Sequence, residues 1–225
     1  MNNCKYPEME ILDIEGVDQA LYGLGLSYGI TSDISYHQFI NYSNSDSVPD
    51  DDSKYEKNVY YRMIKVAKGL FAVGHGHDKF MRMIQFWIKI KAPTYWWLQF
   101  DTYKVGTVSQ SESKMHTILR KPFTPDMFDI PPYHSILTQL NAKREIGDIE
   151  DLVPLIPQGF LQTRVVNINL ATICEIMKQR RNHKLALWHK FIDDIINEIT
   201  HFAYYFPPEW TEKMYEIAYV VDKDK

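Results

Sequence analysis

The sequence predicts an α+β fold, rich in helix and built on a small sheet. A period-two apolar run over residues 84–91 marks one strand, and a weaker strand pattern lies at residues 161–167. Two amphipathic helical stripes follow that second strand. At 225 residues, 45% hydrophobic and 24% charged, the chain suits a single globular domain, 1–225. It is long enough to bury a core without disulfides or metal.

Residues 20–30 mix small and apolar side chains and suit a short helix or a strand. The stretch 41–53 is crowded with Asp, Ser and Asn, has nothing to bury, and reads as an exposed acidic loop. Tyr61, Ile64, Ala67 and Phe71 then recur at helical spacing, with Gly74 placed to stop the helix. Ile84, Phe86, Ile88 and Ile90 alternate with Gln85, Trp87, Lys89 and Lys91, the pattern of a half-buried strand. Pro93 ends it and opens a helix over residues 95–100. Near the C-terminus, Leu170, Ile173, Cys174 and Met177 form one stripe. Leu185, Trp188, Ile192, Ile195, Ile196 and Ile199 form a second, longer one. The polar run 179–184 separates these helices, and Pro207 and Pro208 end the second.

Composition also narrows function. A net charge of −4 argues against nonspecific nucleic-acid binding over the whole surface. No apolar run approaches the roughly 18–20 residues of a membrane span, and MNNCKYPEME has no basic-then-apolar signal. Two cysteines make no disulfide framework, so a cytoplasmic protein is expected. Cys174 falls inside an apolar helical stripe, a place for packing rather than for a low-pKa nucleophile, and Cys4 has no better setting.

Three polar clusters carry candidate chemistry. His75-Gly76-His77-Asp78 offers metal-ligand types, but no third or fourth ligand declares itself; a hydrogen-bonding turn is the other reading. The stretch 99–114 ends in Ser109, Ser111, Ser113 and Lys114, which suit an anion or merely water. Residues 179–184, with Arg180, Arg181, His183 and Lys184, form either a solvated face or, beside Trp188, the lining of a pocket.

Taken together these clusters resemble the flavin-dependent thymidylate synthases. That family has a histidine–glycine–histidine–acid segment followed by Lys-Ala-Pro and a glutamine, matched by His75 to Asp78, Lys91-Ala92-Pro93 and Gln99. Its arginine–histidine–arginine signature is replaced by Thr102-Tyr103-Lys104, and its serine–x–arginine end by Glu112-Ser113-Lys114. Further on, Ile156-Pro157, Asn169 and Arg180 keep the family's spacing, with His183 and Trp188 close to expected places. The resemblance spans about residues 69–202.

It implies a small, mostly antiparallel sheet packed with helices and a homotetramer with sites shared between subunits, Gln99 and Arg180 reaching one pocket from different chains. The implied reaction is reductive one-carbon transfer to C5 of a pyrimidine deoxynucleotide, dUMP to dTMP or a related nucleotide. FAD is the implied redox cofactor and methylenetetrahydrofolate the one-carbon donor. Gln99 and Arg180 would hold and polarise the base, and Ser111, Ser113 and Lys114 the phosphate. His77, Tyr103, Lys104, Asn169 and His183 would line the flavin pocket. No metal ligand and no enzyme thiol are implied. Thr102, Ala171 and Val153 replace three family arginines, with Arg164, Arg181 and Lys184 as nearby substitutes. These losses keep two other readings open: a pyrimidine-nucleotide-binding protein that has lost flavin, and a structural or partner-binding oligomer.

Overall fold

The computed structural model describes residues 4–43, 58–202 and 206–219. Four strands, β1 (Glu8–Glu15), β2 (Gln85–Pro93), β3 (Thr107–Ser111) and β4 (Leu161–Asn169), form one sheet in the spatial order β1-β2-β4-β3. Every neighbouring pair is antiparallel. The expected α+β class with an antiparallel sheet is therefore correct.

β2 is the strand that the alternation at 84–91 announces. Ile84, Phe86, Ile88 and Ile90 are fully buried, while Trp87 and Lys89 face outward. β4 lies against it with Ile88 opposite Val166 and Phe86 opposite Ile168, so two apolar rows meet on the inner face. The other two strands are not legible in the sequence. In β1 the pairing register shifts between Ile11 and Asp13, which leaves Leu12 outward and sends Ile11 and Ile14 in. That bulge erases strict alternation. β3 is an edge strand whose residues are mostly exposed, Val108 at 72%, so no buried face imposes a period.

Helices pack around this sheet and beside it. In chain order they are α1 (Val17–Ser27), α2 (Tyr36–Ser43), α3 (Val59–Leu70), α4 (Thr94–Phe100), α5 (Lys114–Thr117), α6 (His134–Ile146), α7 (Ile149–Leu155), α8 (Leu170–Arg180), α9 (Ala186–Ile199) and α10 (Pro208–Tyr219). Residues 20–27, open between helix and strand, belong to α1. The helix expected to run to Gly74 stops earlier: Phe71 is its extended C-cap. Pro93 performs both expected tasks, closing β2 and standing immediately before α4. Pro207 and Pro208 do not end α9, which gives way at Thr200 to a 3₁₀ turn; Pro208 instead opens α10, where its missing N–H costs nothing. The expected loop at 41–53 begins later, because α2 continues through Ser43; the rest of that stretch lies outside the described residues.

Two apolar clusters result. The larger joins the inner sheet face to α1, α3, α4, α8, α9 and α10, with Trp96, Trp97, Trp188 and Trp210 wholly buried. The smaller draws Ile118, Phe123, Phe128, Leu137, Leu140 and Leu152 from the segment between β3 and β4.

Candidate functional site around Trp188

Trp188 stands in the first turn of α9, completely buried among Trp96, Phe100 and Phe191. Its indole nitrogen carries a proton that needs an acceptor when buried. Gln99, at the end of α4, supplies one: Trp188 Nε1–H donates to Gln99 Oε1 at 2.8 Å. This bond fixes the amide orientation, since only the oxygen of the carboxamide accepts. The Gln99 Nε2 donor is thereby turned away from the indole.

Arg180, the last residue of α8, lays its guanidinium over the same ring, 4.8 Å from the centroid. Its Nε–H donates to the Tyr103 hydroxyl at 2.8 Å, and that hydroxyl donates to Gln179 Oε1 at 3.1 Å. The guanidinium is flat, stacked and held at one nitrogen, with its terminal N–H groups still available. His183 completes the cluster edge-on to Trp188, centroids 6.3 Å apart, and its Nδ1 accepts the Leu185 N–H at 3.1 Å. Burial first, then the Arg180 charge, hold the imidazole below its ordinary range. A neutral His183 with Nδ1 accepting presents Nε2–H as a donor.

Gln99, Tyr103, Arg180 and His183 are thus brought together, and all within one chain. Gln99 and Arg180 of the same chain both touch Trp188. Trp188 is the residue a reading of the sequence undervalues, because it sits on an apolar stripe that explains it equally well as core.

The remaining expected residues lie elsewhere. Asn169 caps α8, its Oδ1 accepting from Thr172 N at 2.9 Å and from the Thr172 hydroxyl at 3.0 Å. Gly106, at φ 82°, passes so close that a Cβ there would strike the Asn169 amide and the Thr172 hydroxyl. Lys104 is exposed in the loop before β3, where Val105 is 89% exposed. His77 is exposed in a turn in which Asp78 Oδ2 accepts the Gly74 N–H at 3.0 Å. The Asp78 carboxylate therefore closes the turn. Ser111 is exposed at the end of β3, and Ser113 precedes α5 without a side-chain cap.

Lys114 is half-buried. It donates to Thr94 Oγ1 at 3.2 Å and lies 5.7 Å from the centre of the Phe160 ring. Burial, then the nearby Arg164, lower its pKa. Of the three substitute cations, only Arg164 stands beside an expected phosphate residue. It pairs with Asp101 at 2.7 Å and stacks 4.2 Å from the Trp97 ring centre. Arg181 instead donates to the Ile217 carbonyl at 3.0 Å, which binds α8 to α10, and Lys184 is exposed. Among the described residues no three His, Cys, Asp or Glu side chains group as metal ligands. Cys174 is buried, and burial pushes its thiol far above the ordinary range, so it is no nucleophile.

Chemically, the cluster is a wall of donors. Gln99 Nε2, the Arg180 terminal N–H groups and His183 Nε2–H all give hydrogen bonds, and the planar indole–guanidinium stack suits a flat ring carrying carbonyl oxygens.

No protein-family profile and no curated protein match the sequence. Solved structures do match. Thymidylate synthase X from Helicobacter pylori, crystallised with FAD and dUMP, superposes with a TM-score of 0.62 at 11% identity, covering 95% of this chain and 100% of its own. A second structure of that enzyme with FAD and dUMP gives 0.60 at 11% identity, covering 88% and 96%. The UMP/dUMP methylase PolB from Streptomyces cacaoi, bound to 5-Br dUMP, gives 0.58 at 12%, covering 93% and 94%. The chain has the fold of the flavin-dependent thymidylate synthases.

Proposed function

We propose that the protein is a divergent enzyme of the flavin-dependent thymidylate synthase type, transferring a one-carbon unit reductively to C5 of a pyrimidine deoxynucleotide. The observation that carries this reading is the convergence of Gln99 and Arg180 on Trp188. The fold's solved relatives, which include structures with dUMP or 5-Br dUMP, support it.

In this reading the pyrimidine lies against the donor wall. Arg180 donates to a ring carbonyl and stabilises the charge that builds there as C5 becomes nucleophilic. Gln99 can only donate at its free end, so it favours the carbonyl of uracil over the amine of cytosine. Ser111, Ser113 and Lys114 take the nucleotide phosphate, with Arg164 beside Lys114. The one-carbon donor is methylenetetrahydrofolate, and no enzyme thiol attacks the base. Bound FAD supplies the reducing equivalents. Tyr103 and His183 stand where a flat ring would rest, whereas support for a pyrophosphate is thin: Thr102 and Ala171 are neutral, and the loop 101–106 carries one cation, Lys104. His77 and Asn169 complete the flavin set in this proposal. The functional assembly is a homotetramer, consistent with the exposure of Val105 and Val108 beside the site; sedimentation as a monomer at micromolar concentration would contradict that.

The neutral residues at 102 and 171 favour a second reading, a nucleotide-binding protein without flavin. Two measurements separate the two. Calorimetric titration with dUMP and dCMP tests the base site, and the visible spectrum after incubation with FAD and desalting tests the cofactor. Retained flavin absorbance with dUMP binding supports the enzyme. Binding of dUMP by a colourless protein supports the second reading, and no binding of either nucleotide removes both.

A further inference from the structure

The core fixes the orientation of Trp188, and one hydrogen bond carries that orientation to Gln99. The indole lies nearly parallel to Phe100, at 9°, and packs against Trp96 and Phe191 with ring centroids 4.8 and 5.9 Å away. A side chain wholly buried among three other aromatic rings has no room to turn. Its Nε1–H therefore points one way, at Gln99 Oε1, 2.8 Å distant. Among the described residues this is the only hydrogen bond of the Gln99 side chain, so the indole alone decides which end of the carboxamide faces it. Turning the amide over would set two N–H donors against each other and leave the buried indole proton without an acceptor. That cost favours the observed orientation by about 10- to 100-fold. The end of the amide that faces away from the indole is then Nε2, a donor.

We infer that Trp188 determines the base specificity of the site, as a positioning residue that acts through Gln99 on the group at C4 of the pyrimidine. This rests on the nucleotide reading proposed above. Uracil and cytosine share the C2 carbonyl and differ at C4, which carries an acceptor oxygen in uracil and a donor amine in cytosine. A fixed Nε2 donor bonds the uracil oxygen and opposes the cytosine amine, so attraction to one base and repulsion of the other come from the same group. The discrimination originates in the packing of Trp96, Phe100 and Phe191, which hold the indole that holds the amide.

Calorimetric titration of the full chain with dUMP and dCMP reads the ratio of the two affinities, which should favour dUMP by about tenfold or more. Gln99→Glu keeps the shape of the side chain but puts an acceptor at both ends, and should reverse the preference toward dCMP. Trp188→Phe keeps a ring beneath Arg180 and removes the N–H; the amide is then free to turn, and the ratio should fall close to one. In the Gln99→Glu background the same Trp188→Phe change should leave the ratio where it was, because a carboxylate accepts at either end and needs no orienting. A merely structural loss in Trp188→Phe lowers both affinities and keeps the ratio, and that result would overturn the inference. So would Gln99→Glu weakening both nucleotides equally, since Gln99 would then be reading the shared C2 carbonyl. Where Trp188→Phe fails to fold, the ratio in Gln99→Glu decides alone. Wild-type protein that binds neither nucleotide removes the nucleotide reading and this inference with it, whereas dUMP binding with an unchanged ratio in both variants removes only the inference.

Discussion

Arg180 is held from two directions, by the Trp188 face and by the Tyr103 hydroxyl, and this double hold makes its removal measurable. A hydrogen bond from a charged group is worth about 1.5–3 kcal/mol. Arg180→Ala should therefore weaken dUMP binding by about 10- to 100-fold by calorimetry. Arg180→Lys should not restore it, because an ammonium neither stacks flat nor bonds Tyr103 while donating to a ring. His183 gives a pH test. Its folded pKa lies below the ordinary 6.5, so the unfolded chain protonates first as pH falls. The stability it contributes is complete above 6.5 and is lost as pH drops toward the folded value. NMR titration should find His183 below 6.5, and Arg180→Ala should move it upward by removing a repelling charge.

Among the elements, the joint between β4 and α8 carries the greatest constraint near the site. Asn169 caps α8, and Gly106 of the neighbouring loop lies against it: Asn169 N–H donates to Gly106 O at 3.1 Å. Asn169→Ala should cost about 1 kcal/mol of stability, the usual value of such a cap. Gly106→Ala should cost more, since it adds a clash to a left-handed backbone. Thermal melts of the two variants decide the order. Asparagine at the start of a helix has this structural role whether or not a cofactor meets it.

Across the whole molecule, stability rests on the inner sheet face and not on its edge. Ile88 is fully buried between β1 and β4, so Ile88→Ala should cost about 2–5 kcal/mol. Val108 on the edge is largely exposed, and Val108→Ala should stay within about 0.5 kcal/mol. Denaturant midpoints for the pair test where the load falls. No helix among the described residues is long and apolar enough to cross a membrane.

The sequence alone determined the elements with one buried and one wet face: β2, α8 and α9 declare themselves because burial imposes a period of two or of 3.6. It also determined that Cys174 is core. Tertiary structure decided the rest. β1 hides behind a bulge, β3 behind its exposure, and α6 and α7 pack a second core that no single periodic stripe advertises. Gln99 and Arg180 were legible as candidates, but their meeting on one indole was not, because side chains remote in sequence are joined only when α4, α8 and α9 close on the sheet. Arg164, Arg181 and Lys184 looked interchangeable along the chain. Which of them turns toward Lys114, toward α10 or toward solvent depends on strand parity and helix rotation, and those exist only in the folded molecule.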